Sequence, residues 1–189
     1  MVTLKIITGS VRPGRFNIQP ANWILERAKE KEGVTAELLD LKEINLPFLD
    51  EEKPPMMHQY SHEHTKKWAD AIAETDGFIF VTPEYNHSLS PVLKNAIDYL
   101  YYEWNFKPVS FISYGSQAGG ARVVEHLRNV AGELKMYDLR EQLLLPNFWE
   151  GMDENGAFQF TEKHTEQADA ILTELIFWSE RMKEARSHL

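Results

Sequence analysis

VTLKIITGSVRPGR, residues 2–15, carries an apolar strand, Val2 to Thr8, straight into a polar turn that holds two glycines, a serine and two arginines. A helical pattern follows at once, with Ile18, Ala21, Leu25 and Ala28 repeating at helical spacing until Gly33. A strand that passes through such a turn into a helix leaves backbone N–H groups pointing outward beside the positive end of the helix, and both favour an anion. Ser10 Oγ can donate to a phosphate oxygen, Arg12 or Arg15 can pair with it bidentately, and Asn17 is placed to cap the helix. Two arginines gathered in one turn stand out in a chain of formal net charge -9. The competing reading is an ordinary basic turn whose arginines pair with carboxylates.

Outward from this turn the periods alternate. Val34 to Leu41 reads as a second strand, and Gly77 to Val81, continuously apolar, as a central third strand covered on both faces. Val109 to Tyr114 is the fourth strand, and residues 134–145 supply a fifth near Leu143, Leu144 and Leu145. Helical patterns fall at His62–Glu74, around Trp68, Ala69 and Ile72, and at Pro91–Tyr102, with Ser90 as cap and Pro91 in the first turn. Another follows Gly120 through Val123, Val124, Leu127 and Val130, and a long terminal helix occupies 160–186. Residues 42–60 have no clean period and hold Pro47, Pro54 and Pro55; a loop of this length covers something or is loosely ordered. Strands separated by helices predict a parallel sheet with helices on both faces, in one α/β domain spanning 1–189.

Bulk composition narrows the chemistry. The 189 residues are 43% apolar, enough for one well-buried core, and include no cysteine, which removes disulfides, thiolate catalysis and iron–sulfur clusters. The acidic balance argues against a general nucleic-acid binder. No apolar run is long enough for a membrane span, and the first residues do not read as a signal peptide, so a cytoplasmic location is expected. No metal site is expected: His58, His62 and His64 are close in sequence, but the spacing of His62 and His64 sends them to different faces of a helix. Walker, GxGxxG and GxSxG patterns are absent.

Three strands run into polar loops just before a helix, at 9–15, 82–90 and 115–120, and ligands of open α/β sheets sit beyond such strand ends. In the second loop Pro83 stiffens the backbone and Tyr85 offers an aromatic surface. Asn86 and the N–H groups of 84–87 can read the polar edge of a planar ring, and Glu84 is a base only if its pKa is raised. The third loop has Gly115, Gly119 and Gly120 within six residues, which suits close approach to a flat ligand or simply a tight strand-to-helix turn.

GSVRPGR after the first strand, TPEYNHSLSPVLKNAIDYL after the third and YGSQAGGARVVEHLR after the fourth resemble the NADPH-dependent FMN reductase family of flavodoxin-like proteins, with PEYN…LKNAID the most specific string. The resemblance covers the chain to about residue 145. It implies a flavodoxin-like three-layer α/β/α sandwich with strand order 2-1-3-4-5. It also implies FMN as bound cofactor, NADPH or NADH as reductant, and a small-molecule acceptor such as a quinone, azo compound, free flavin or metal oxyanion. Carried over, Ser10, Arg12, Arg15, Phe16 and Asn17 match the FMN phosphate loop. Pro83, Glu84, Tyr85 and Asn86 match the segment edging the flavin ring, and Gly115, Ser116, Gln117, Gly119 and Gly120 match the loop on its other edge. The helix 91–102 matches the subunit contact of a homodimer or homotetramer, with Asn95, Asp98, Tyr99 and Tyr102 facing the partner. No single catalytic residue is expected, because the cofactor carries the redox chemistry. The alternatives are a flavodoxin-like electron carrier and a flavin-free binding protein on the same fold.

Overall fold

The computed structural model describes residues 1–188. Five parallel strands, β1 (Val2–Thr8), β2 (Val34–Asp40), β3 (Gly77–Pro83), β4 (Pro108–Gly115) and β5 (Tyr137–Pro146), form one sheet in the order 2-1-3-4-5. The main helices are α1 (Ile18–Lys29), α2 (Leu41–Ile44), α3 (Glu63–Ala73), α4 (Pro91–Asp98), α5 (Ala121–Glu133) and α6 (Glu162–Arg186). The predicted sheet and its order stand, and the terminal helix falls where its period places it.

Every residue of β3 is buried, and its side chains alternate between two cores. Phe78 and Phe80 join Trp68, Ile72, Trp104, Phe111 and Leu127 on one face. Ile79 and Val81 join Leu4, Ile6, Ile24, Ile112, Leu143 and Leu175 under α1 and α6 on the other. Buried indole N–H groups need acceptors, and both find carbonyls: Trp68 donates to Ala96 O at 2.8 Å and Trp104 to Ile97 O at 3.1 Å. Among the described residues no helix is long and apolar enough to cross a membrane.

Two sequence-based expectations change. Leu41 does not finish β2; it opens the short helix α2 and packs into the core on the α3 side. The helix expected over 91–102 stops at Asp98, and Tyr102–Trp104 form a separate 3-10 turn. Its supposed partner-facing side is largely covered by the chain itself. Asn95 donates to Pro47 O at 2.7 Å and accepts from Leu49 N at 2.9 Å. Tyr99 is fully buried, and its hydroxyl reaches Asp50 at 2.9 Å. Asp98 pairs with Lys94 at 2.6 Å, while Tyr102 stays exposed. The segment 42–60 is therefore a cover for α4, anchored by the polar groups of that helix, with Phe48 left 83% exposed above it.

Candidate functional site

The carboxyl ends of β1, β3 and β4 open on a cavity of about 290 Å³. The first turn contributes Ser10, Arg12, Pro13, Gly14, Arg15 and Phe16, the second loop Pro83, Glu84 and Tyr85, and the third Gly115. Tyr114, Phe148 and Met152 complete the wall. A larger depression of about 800 Å³ lies alongside, between α2, Leu46–Phe48 and the first turn of α4, and it meets the first turn only at Val11.

The first turn separates the two arginines into different roles. Arg15 forms a two-pronged pair with the Asp40 carboxylate and donates to Ser10 O at 3.0 Å. This follows from register: Thr8 of β1 faces Asp40 of β2, so the carboxylate ends beside the turn, where the Thr8 hydroxyl also donates to it at 3.0 Å. The hydrogen bond to Asp40 raises the Arg15 pKa. Burial opposes charge on Asp40, but the bonds from Arg15, the Lys42 N–H and Thr8 outweigh it and hold the carboxyl below its usual range. For Arg15 the carboxylate-paired reading is the correct one. Arg12 is exposed, forms no ion pair among the described residues and lies 5.9 Å over the Tyr85 ring.

Asn17 occupies the cap position of α1 but does not cap it. Its amide turns back to donate to Ser10 O at 3.3 Å, and its Oδ1 is buried without a partner. Ser10 is only 1% exposed, and its Oγ lies 2.9 Å from the Tyr85 hydroxyl. Phe16 is buried in an aromatic group with Tyr114, Phe148 and Phe158, at centroid distances of 4.9, 4.4 and 5.2 Å. The Tyr114 phenol is pushed well above its usual pKa, first by burial and then by the facing Tyr85, so it is a neutral donor.

The second loop is a two-residue hairpin. Tyr85 and Ser88 exchange backbone hydrogen bonds of 3.1 and 3.0 Å, and Asn86 and His87 both adopt positive φ, 49° and 67°, as a primed turn requires. Asn86 is thereby carried to the exposed tip, outside the cavity wall. Glu84 accepts from Arg122 N at 3.0 Å and pairs with the Arg122 guanidinium at 2.8 Å, so it caps α5 and is no free base.

In the third loop the glycines serve the fold. Gly119 and Gly120 have φ of 58° and 86°. A Cβ on Gly120 would stand 2.7 Å from Ser113 Cβ, and one on Gly119 2.9 Å from Pro146 N. Ser116 and Gln117 are exposed and stand outside the cavity wall; only Gly115 lines it. Sequence reasoning missed Tyr114, Phe148 and Met152. Tyr114 carried a usable signal, as the last aromatic of a strand that enters a ligand-facing loop. Phe148 and Met152 lie in a turn-rich stretch with no period to place them.

The residues present fit a phosphate-bearing group with a flat ring. Among the described residues the N–H groups of Val11, Gly14 and Phe16 have no protein acceptor, Arg12 has no counter-ion, and the buried Asn17 Oδ1 has no donor. Pro83, Tyr85 and Tyr114 supply flat apolar walls beyond.

Fold and site together define a flavodoxin-like α/β protein with a cavity at the tip of its sheet that suits a phosphorylated planar group. The family model of the NADPH-dependent FMN reductases matches residues 2–150. The chain belongs to that family, and with membership come the enzyme class, an NAD(P)H-dependent oxidoreductase, and the cofactor, FMN. An NAD(P)H-dependent FMN reductase of Schizosaccharomyces pombe is 44% identical over 133 residues, 69% of this chain and 66%, just under two thirds, of that protein. An NAD(P)H:quinone oxidoreductase of Solanum tuberosum is 30% identical over 178 residues, 89% of this chain and 81% of the relative. Among solved structures, the flavoenzyme NAD(P)H:(acceptor) oxidoreductase FerB from Paracoccus denitrificans superposes with a TM-score of 0.75 at 22% identity, covering 96% of this chain and 99% of FerB, a likeness of fold.

Proposed function

We propose that this protein reduces quinone-type planar acceptors at the expense of NAD(P)H, with FMN held by its phosphate in the Ser10–Asn17 turn and by its ring between Pro83–Tyr85 and Gly115. The observation that carries this reading is the uncommitted cation and amide group of the first turn, set beside a neighbour, Arg15, whose charge is already answered. FMN, when bound, supplies the hydride-accepting and two-electron-donating chemistry.

The chain's own residues bind, orient and exclude water. Arg12, the free N–H groups and the α1 terminus take the phosphate dianion, and the Ser10 hydroxyl exchanges its Tyr85 partner for a phosphate oxygen. Tyr114 and Phe16 dry the inner wall. Glu84, the carboxylate in the cavity wall, caps α5, and Asp40, outside that wall, holds Arg15, so neither is placed to move a proton. The acceptor is walled by Leu46, Pro47 and Phe48 beside Val11. The reading includes a homodimer that covers the exposed Phe48, Met56, Met57 and Tyr102 around α4.

The test is an absorbance spectrum of the purified protein before and after anaerobic NADPH, followed by addition of a quinone. Flavin colour that bleaches with NADPH alone and returns with the quinone is expected. Colour that persists until a separate reductase is added would instead identify an electron carrier.

A further inference from the structure

Arg122 and His126 sit four residues apart on one face of α5, and both hold the hairpin that edges the cavity. The Arg122 guanidinium and backbone N–H bind opposite oxygens of Glu84, at 2.8 and 3.0 Å. His126 Nδ1 lies 2.8 Å from Ser88 Oγ. Neither Arg122 nor His126 lines the cavity, whereas Glu84 does, with a side chain only 9% exposed. A carboxylate therefore stands in the wall beside the ring position, and the cation that offsets it lies behind, half-exposed on the helix.

We propose that Arg122 is a positioning residue for the flavin ring: by clasping Glu84 to the first turn of α5 it fixes the Glu84–Ser88 hairpin against the cavity and masks a negative charge in the cavity wall. This rests on the reading of the cavity as the FMN site. Arg122→Ala keeps the helix terminus but unmasks Glu84, which disfavours the negative charge that reduction adds to the ring. Glu84→Gln removes that charge and keeps an acceptor for the Arg122 N–H. The two substitutions must therefore move the flavin midpoint potential in opposite directions. A clasp that only stiffened the hairpin would move both the same way, because both loosen it.

The experiment measures midpoint potential by equilibration with a reference dye, and FMN retention on dilution, for the wild-type holoprotein, Arg122→Ala, Arg122→Lys and Glu84→Gln. Expected are a lowered potential in Arg122→Ala, a raised one in Glu84→Gln and near-wild-type behaviour in Arg122→Lys. FMN retention in Arg122→Ala is expected to weaken about three- to tenfold, as suits a half-exposed ion pair with an added backbone bond. Potentials that shift in the same direction, or not at all, in protein that holds FMN overturn the clasp alone. A wild-type protein that retains no FMN overturns the reading of the cavity as well.

Discussion

The turn after β1 and the loop after β4 both lead a strand into a helix through glycines, yet they use them in opposite ways. At Gly14, φ is 66° and a built Cβ meets no atom within 4 Å, so the turn opens to solvent with the Val11, Gly14 and Phe16 amides uncommitted. At Gly120, φ is 86° and a built Cβ would be 2.7 Å from Ser113 Cβ, so the loop is pressed onto the sheet. A glycine count cannot tell these cases apart. Nor can leftover donors alone, since Ser116, Gln117 and Ala118 also keep N–H groups without a protein acceptor; what marks the first turn is that its free amides sit beside Arg12, a guanidinium with no ion pair among the described residues.

The sharpest way to break this comparison is at the two glycines. Gly120→Ala is expected to destabilise the fold by about 3 kcal/mol or more, because backbone strain and a clash with β4 add together. Gly14→Ala carries only the strain of positive φ, about 1 kcal/mol. Denaturant midpoints of the two variants decide it, and equal losses would erase the distinction.

The same contrast predicts a cofactor effect without a fold effect. Arg12→Ala removes an exposed, unpaired side chain, so the unfolding midpoint should hold. FMN affinity should fall about ten- to a hundredfold, the value of a hydrogen bond to a charged group at about 1.5–3 kcal/mol. A fluorescence titration with FMN measures it, and loss of stability in step with affinity would mean that Arg12 braces the turn instead.

Bracing is the role of Arg15, and it has a pH signature. The folded Asp40 carboxyl titrates below its unfolded value, so its contribution is fully present above the ordinary carboxylate range and is lost as pH falls through the folded pKa. Compared with Asp40→Asn, the wild type should be more stable at pH 7 by about 1–2 kcal/mol. That gap should close as pH drops below about 4. A gap independent of pH would show that packing, not charge, holds the turn.

The features legible in the sequence were those written in local pattern. Strand β3 announced itself through five apolar residues in a row, Ser90 and Pro91 marked the start of α4, and GSVRPGR marked the turn from β1 into α1. Partnerships made across the fold were not legible. Nothing local says that Arg15 and not Arg12 meets Asp40; parallel register between β1 and β2 decides it. Nothing in the Pro-rich 42–60 segment says that Pro47 and Asp50 will take the polar groups of Asn95 and Tyr99 and close the face expected to meet a partner. Phe148 and Met152 reach the cavity only because β5 ends beside β4, a tertiary fact with no period to betray it.

The smallest expected effect lies in the loop after β4. The family resemblance leads one to expect Gln117 at the ring edge, but its side chain is exposed, outside the cavity wall and without a hydrogen bond among the described residues. An exposed side chain that touches nothing contributes within about 0.5 kcal/mol, so Gln117→Ala should change FMN affinity by less than about threefold. The same titration used for Arg12→Ala measures it. A loss approaching that of Arg12→Ala would mean that the loop swings inward over the bound ring. The packed glycines at its end would then serve as the hinge of a moving element rather than as its anchor on the sheet.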